Sequence, residues 1–402
     1  MADVARELEA IVRRERRVLI GGLLRHSGSL DLAEEALQDA IVAALATWPT
    51  DGLPANPAAW LATAARNRVR DAQRHHAVVA QAAPRLAEVD LETRNLQTVA
   101  DDQLRLIFTC CHPELARDQQ VALTLKVIAG FSIEELARAY VVPEATMAQR
   151  IVRAKRTIDE RALAYAMPTN LADRLVPVLE VVYLIFNEGH TASHGDLVRL
   201  DLQAEALRLV RLLGELAPRE PEVFGLLALV ALSAARAATR TDATGALLRL
   251  ADQDRAQWHV PLVEEGLVAL SRARSLGGTG AYALQAEIAA YHAIAPSFAE
   301  TDWGRIVACY DELLELTHSP VVALNRAIAI AMVAGAERAL AELVQLAEPL
   351  ARYHLFYATR ADLLARLGRD PTADWERALA LATNDAERAL IQRQLEVSSR
   401  RA

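Results

Sequence analysis

Aromatic residues make up only 5% of this 402-residue chain, and runs of Val, Ile and Thr alternating with polar residues between turn signals are absent. Both shortages weigh against strands, while the recurrent Ala and Leu favour helix nearly everywhere. The expected fold class is all-α. Cysteine is equally scarce: Cys110 and Cys111 are adjacent and Cys309 is distant, so the three make no disulfide framework and suit a reducing compartment. A charged-then-apolar leader with a small-residue cleavage site is missing, as is an uninterrupted apolar run of transmembrane length. The sequence therefore predicts a cytoplasmic protein with no membrane partner. What is present in quantity is apolar surface: 52% hydrophobic residues are enough for large cores, which excludes wholesale disorder and suggests two or three domains.

A broad positive footprint is also lacking. The net charge is -8; residues 1–170 hold 21 Lys/Arg against 22 Asp/Glu, net -1, and residues 171–402 hold 23 against 30, net -7. A protein that grips nucleic acid unaided carries a wide basic surface, so any such contact here must be local and assisted by a partner. One short stretch departs from that neutrality. In "FSIEELARAYVVPEATMAQRIVRAKRTI" (131–158), Arg150, Arg153, Lys155 and Arg156 fall close together.

The spacing in that stretch says more than its charge. Ser132 followed by Glu135 is a capping box, opening a helix with Ile133, Leu136, Ala137 and Tyr140 on one face. Pro143 expels Val142 from the helical region and suits the first position of a new helix. In that second helix Met147, Ile151, Ala154 and Ile158 form one stripe, and Thr146, Gln149, Arg150 and Arg153 form another. Two short helices joined by a tight turn, with Gln and Arg on the free face of the second, suit entry into a major groove. An ordinary αα-hairpin with a solvated basic face has the same spacing.

Upstream, "NPAAWLATAARNRVRDAQRHH" (56–76) begins with an Asn cap and Pro57 in the first turn. Leu61, Ala65, Val69 and Ala72 make its apolar stripe; Arg66, Asn67, Arg70 and Arg74 collect on the other side. The preceding segment "DLAEEALQDAIVAALATW" (31–48) is a second amphipathic helix, with Leu37, Ile41, Ala44 and Trp48 inward and Glu35, Gln38 and Asp39 outward. Its acidic face repels DNA and is available to a protein.

With these residues on the page, "AEEALQDA…NPAAWLATAARNRVRDAQR" resembles region 2 of the extracytoplasmic-function sigma factors of bacterial RNA polymerase, and "QVALTLKVIAGFSIEELARAYVVPEATMAQRIVRAKRTI" resembles their region 4. The two modules stand in the family's order, separated by a linker. The resemblance implies that Glu35, Gln38 and Asp39 dock on core RNA polymerase, and that Asn56, Arg66, Asn67 and Arg70, with Arg74 beside them, engage the minus-10 element of promoter DNA. It further implies that Glu144, Thr146, Gln149, Arg150 and Arg153 read the minus-35 element while Lys155 and Arg156 meet phosphates. The loop "PTDGLPANP" (49–57) departs from the family pattern, having no aromatic side chain and two extra prolines. If each DNA-facing helix neutralises about three or four phosphates, the salt slope is only roughly -3 to -4 per module. Rigid attachment of both modules to polymerase then raises the effective concentration of the second contact.

From about residue 171 helix follows helix. "DWGRIVACYDELLELTHSPVVALNRAIAIAMVAG" (302–335) reads as a helix pair, and Gly335 and Gly368 stand 33 residues apart, near a tetratricopeptide period. Stacked helical hairpins are expected, with a non-repeating helical bundle as the alternative. "VLEVVYLIFNEGHTAS" and "RLDLQAEALRLVRLLGELAPREPEVFGLLALVAL" resemble the extension of one group of these sigma factors, in which a tetratricopeptide-like (TPR-like) tail follows region 4. That resemblance implies a regulatory tail with a protein or peptide partner. It also nominates Asn187, Glu188 and Gly189, read as a polar break in a helix, for contact with the sigma domains; a plain helix C-terminus at Gly189 fits the same residues. The expected division is region 2 over 1–76, a linker over 77–100, region 4 over 101–165 and the extension over 171–402.

Three further segments carry no chemistry. Adjacent Cys110 and Cys111 with His112 diverge on a helix and cannot easily share a tetrahedral ion, and Pro113 marks a turn. His190 and His194 have i, i+4 spacing without the Glu of a zinc-protease motif. "GGTGAY" (277–282) lacks the Lys-Ser/Thr of a phosphate loop and precedes a helix starting near Ala281. No metal, no cofactor and no catalytic residue is expected. The rival to a polymerase-recruiting subunit is a one-component helix-turn-helix regulator with a TPR-like sensor, which has no need of residues 31–76.

Overall fold

In a computed structural model of the chain, described over residues 2–79, 102, 105–140, 142–161, 163, 171–191, 198–242 and 246–399, helices make up nearly all regular structure; among these residues the only β-pairing is an isolated bridge between Thr241 and Leu247. The chain divides into two compact units, Met1–Val181 and Val182–Ala402.

The first unit opens with three mutually packed helices, α1 (Ala2–Ser27), α2 (Leu30–Asp51) and α3 (Pro57–Val79). The Ser29 hydroxyl accepts from the Leu32 amide and starts α2. The predicted inward positions Leu37, Ala44 and Trp48 are buried, each large side chain contributing about 1.5–3 kcal/mol, while Ile41 keeps partial exposure. Asn56 caps α3 by accepting from the Ala59 amide at 3.1 Å, and Leu61, Ala65 and Val69 are buried beneath it. Trp48 meets Trp60 edge-to-face, centroids 5.4 Å apart, tying the end of α2 to the start of α3 across the proline-rich connection.

After a turn around Pro113, α4 (Arg117–Thr124) runs directly into a π-turn over Leu125–Ala129, which Gly130 ends at φ 82°. Glycine is favoured there because the backbone is left-handed, and a Cβ would also crowd Arg16 Cδ at 3.1 Å. Arg16 of α1 donates from Nε to the Val127 carbonyl at 3.1 Å, so α1 holds the π-turn. The predicted capping box is formed: the Ser132 amide donates to Glu135 Oε2 at 2.7 Å and the Glu135 amide to Ser132 Oγ at 3.0 Å. It opens α5 (Ile133–Ala139). α6 (Glu144–Glu160) buries Met147, Ile151, Ala154 and Ile158, the four positions of the predicted stripe. Pro143 sits one position before the helix as its N-cap.

The boundary between the units falls within α7 (Leu171–His190). Asn187–Gly189 form the last turn of this helix, which ends at His190, as the plain C-terminus reading expects, and not a break within it. The Gly189 carbonyl accepts from the Arg199 amide at 2.8 Å and from Gln203 Nε2 at 2.9 Å. The buried Gly189 thus joins α7 to α8 (Leu200–Leu216). His194 lies outside the described residues, as do residues 80–100 of the expected linker.

α9 (Pro221–Ala234) is buried almost all round, by α8, α10 (Val260–Ser275) and α11 (Ala281–Ile294). Pro221–Thr239 has the length and mean hydropathy of a membrane-crossing segment, although Glu222 and Arg236 interrupt it; its apolar surface is spent on neighbouring helices, with Val223, Leu226, Ala228, Val230 and Ala231 buried. "GGTGAY" precedes α11 as predicted, and the helix N-terminus is taken by the chain's own Glu222, which accepts from the Tyr282 and Ala283 amides at 2.9 and 3.3 Å.

Beyond α11 the helices stack in order: α12 (Trp303–Thr317), α13 (Pro320–Val333), α14 (Ala336–Leu343), α15 (His354–Arg366), α16 (Thr372–Leu381) and α17 (Asp385–Ser399). Separate apolar clusters form layer by layer. Leu284, Ile306 and Leu313 belong to one, Leu324, Leu343 and Phe356 to the next, and Ala361, Trp375 and Ile391 to the last. Gly335 and Gly368 follow α13 and α15 at positive φ, 85° and 68°, Gly335 as the N-cap of α14, so the 33-residue sequence period is a repeated glycine turn between helices. The second unit is a stack of helical hairpins.

Candidate nucleic-acid interface

The free face of α6 carries the residues that the sequence singles out. Glu144, Thr146, Gln149, Arg153 and Arg156 are exposed, and neither Gln149 nor Arg153 has a side-chain partner among the described residues. Arg156 pairs along its own helix with Glu160 at 2.6 Å, an exposed contact of little energetic weight. Arg150 is less free: its Nε lies 3.0 Å from Asp118 Oδ2, on α4.

Lys155 is not on the free face at all. Its Nζ lies 2.6 Å from Asp31 Oδ1 and 2.7 Å from Glu34 Oε2, and only 17% of its side chain is exposed. Arg16 Nη2 completes the cluster at 2.7 Å from Glu34 Oε1. Burial alone would lower the Lys155 pKa, but the Glu34 charge and the hydrogen bonds to Asp31 and Glu34 outweigh it, and the net shift is upward. Lys126, the only other lysine in the chain, stands in the same electrostatic neighbourhood, its pKa lowered chiefly by burial. The N-terminal helices therefore hold one cation of the helix-turn-helix through two carboxylates, 124 residues apart in sequence at the Asp31 contact.

On α3, Asn67, Arg70 and Arg74 are exposed and Arg66 half-buried. Arg74 approaches Asp71 only at 3.9 Å, while Asn56 is committed to its capping bond. On α2, Glu35 and Gln38 face solvent and Asp39 stands 3.7 Å from Arg68 in an exposed pair. The acidic helix is thus divided: Glu35, Gln38 and Asp39 are presented, and Asp31 and Glu34 are occupied. Arg16, Asp31, Glu34 and Asp118 were not among the sequence-predicted site residues. The local signal for the middle pair is their i, i+3 spacing one turn before Glu35 and Gln38; nothing local points to Lys155.

Among the described residues no group of three His, Cys, Asp or Glu side chains is placed to hold a metal ion. Cys110 and Cys111 are buried; Cys111 Sγ lies 3.3 Å from Thr124 Oγ1, and burial, then the neighbouring Cys111, pushes the Cys110 thiol well up. Such a thiol is inert.

Comparison with known families matches this geometry. Residues 11–78 match Sigma-70 region 2, residues 105–158 match Sigma-70, region 4, and residues 174–274 match a family of unknown function, DUF6596. An uncharacterized protein of Rhizobium meliloti (strain 1021) is 42% identical over 390 residues, covering 94% of this chain and 92% of its own. The crystal structure of yeast Tom70 overlays 99% of this chain and 86% of its own at 11% identity, with a TM-score of 0.38.

Proposed function

This chain belongs to the sigma-70 family, as an extracytoplasmic-function-like sigma factor with a C-terminal extension, and from that premise we propose that it binds core RNA polymerase in the cytoplasm and directs it to specific promoters. The observation that carries this reading is the pairing, in one unit, of a presented acidic face on α2 with two separate cationic faces on α3 and α6. We assign region 2 to residues 1–76, the linker to 77–100, region 4 to 101–165 and a regulatory extension to 171–402. In this reading polymerase does the chemistry.

Each proposed contact has a physical role. Glu35, Gln38 and Asp39 are the polymerase-docking face, where rim charges set the association rate and orientation. Arg66, Asn67, Arg70 and Arg74, with Asn56 holding the start of their helix, address the minus-10 element. Thr146, Gln149, Arg150 and Arg153 supply the major-groove donors for the minus-35 element, with Glu144 beside them as an acceptor. Arg156 and Lys155 meet phosphates, and for Lys155 a phosphate must replace two carboxylates. That exchange couples DNA engagement to separation of α6 from α2: one strong acceptor is traded for another, so the free chain resists promoter DNA without a large barrier once polymerase draws the modules apart.

Run-off transcription with purified core polymerase tests the reading. The full chain should confer promoter-specific transcripts, Asp39→Ala should weaken association with core polymerase in the absence of DNA, and Gln149→Ala should relax minus-35 discrimination without affecting that association. Tight, site-selective promoter binding by the chain alone, unchanged by core polymerase, would overturn it.

A further inference from the structure

A cavity of about 260 Å³ lies among α9, α11, α12 and α13 in the second unit, with room for the volume of about nine water molecules. Leu229, Leu232, Ile288 and Leu313 give it an apolar wall. Its polar side is cationic: Arg236 lines it, and among the described residues no Asp or Glu does. The Arg236 side chain has no hydrogen-bond or carboxylate partner among the described residues. Burial, then the like charge of Arg255, lowers its pKa to about 10, still leaving a full positive charge at neutral pH. Arg255 itself is held by carbonyl oxygens, those of His292 and Ala295, and by Thr301 Oγ1. It therefore adds charge to the neighbourhood without neutralising any.

Two further groups at the cavity are unsatisfied. Trp258 Nε1 and His292 Nδ1 are buried without a hydrogen-bond partner, and both residues line the space, as do Tyr310 and Asn325. Tyr310 stays protonated, its pKa raised to about 12 by burial first, so its hydroxyl is a donor. A buried cation and several buried polar groups with no acid beside them among the described residues are costly to maintain. An anionic group placed among them would satisfy them together, and a guanidinium receives a carboxylate through two parallel bonds.

We propose that this cavity is a binding site for a small organic carboxylate with an apolar body, its carboxylate received by Arg236 and its body by the leucine wall. A second cavity of about 480 Å³ shares His292, Tyr310 and Asn325 with the first, which gives a longer acid room to extend. The site is independent of the promoter-binding reading, since its test is binding to the chain alone.

Calorimetric titration of the full chain with phenylacetate and hexanoate, against phenylacetamide, hexanamide and inorganic phosphate, decides the matter. At least one of the acids should bind about tenfold or more tightly than both its own amide and phosphate, as expected for a charge-assisted bond backed by apolar contact. Arg236→Met should remove that preference while leaving the unliganded melting temperature equal or higher, because it deletes an uncompensated charge. Ala289→Phe, which fills the cavity and spares Arg236, should abolish binding by a second route. Acids that bind no better than their amides, phosphate that binds as well as the acids, or variants that both bind normally would each overturn the proposal.

Discussion

Lys155 shows how one residue's environment changes its reading. By spacing it is a basic side chain at the edge of a DNA-facing helix; by structure it is a mostly buried ammonium between Asp31 and Glu34. Glu34 also holds Arg16, so Glu34→Gln weakens two ion pairs at once and should cost about 1–3 kcal/mol of stability. The chain's two lysines make a clean probe. Amine labelling followed by mass spectrometry should find Lys155 protected in the wild-type chain and labelled faster in Glu34→Gln; equal rates would show that the pair does not hold in solution. His292 supplies a second prediction. Burial, then Arg236 and Arg255, lowers its pKa to about 4, below the value of about 6.5 in an unfolded chain. Its contribution to stability is complete above about pH 6.5 and is lost as pH falls towards 4, because the unfolded chain takes up the proton first. His190, with a pKa also lowered well below normal, chiefly by burial, acts in the same direction. Thermal stability should therefore fall between pH 6.5 and 4.5, and His292→Gln should flatten part of that slope.

Among elements, α6 was the most legible. Its inward stripe, the capping box before it and its exposed Gln149 and Arg153 all follow from a 3.6-residue period and local hydrogen bonding. Arg153 is the cleanest member of its free face, and Arg153→Ala in the polymerase-bound chain should weaken minus-35 promoter binding and relax its sequence preference. A salt slope reduced by about 1 with the preference unchanged would move it to a phosphate contact. α7 was less legible. Asn-Glu-Gly after an apolar run has the composition of a stop, and the helix does end one residue later at His190; what no local pattern shows is that α8 supplies the donors for the Gly189 carbonyl. α9 is ambiguous for another reason. An apolar run is equally good for a bilayer or a core, and only the surrounding helices decide which it meets.

At the scale of the whole molecule, a neutral DNA-directed unit is followed by a unit of stacked hairpins. If the extension regulates the sigma unit, removing residues 171–402 should change run-off transcription strongly in one direction; unchanged transcription by the truncated chain would reject regulation by the extension. Composition and period alone determined that this protein is helical, that two basic helix faces lie upstream of a long acidic array, and that Gly335 and Gly368 mark a repeat, since each of these is written in neighbours a few residues apart. Only the tertiary structure decided that Lys155 is taken by Asp31 and Glu34, and that Arg236 lines a cavity with no acid among its described lining residues. Charge pairing and cavity lining depend on distances between residues far apart in the chain, and a one-dimensional pattern holds no record of those distances until the helices have packed.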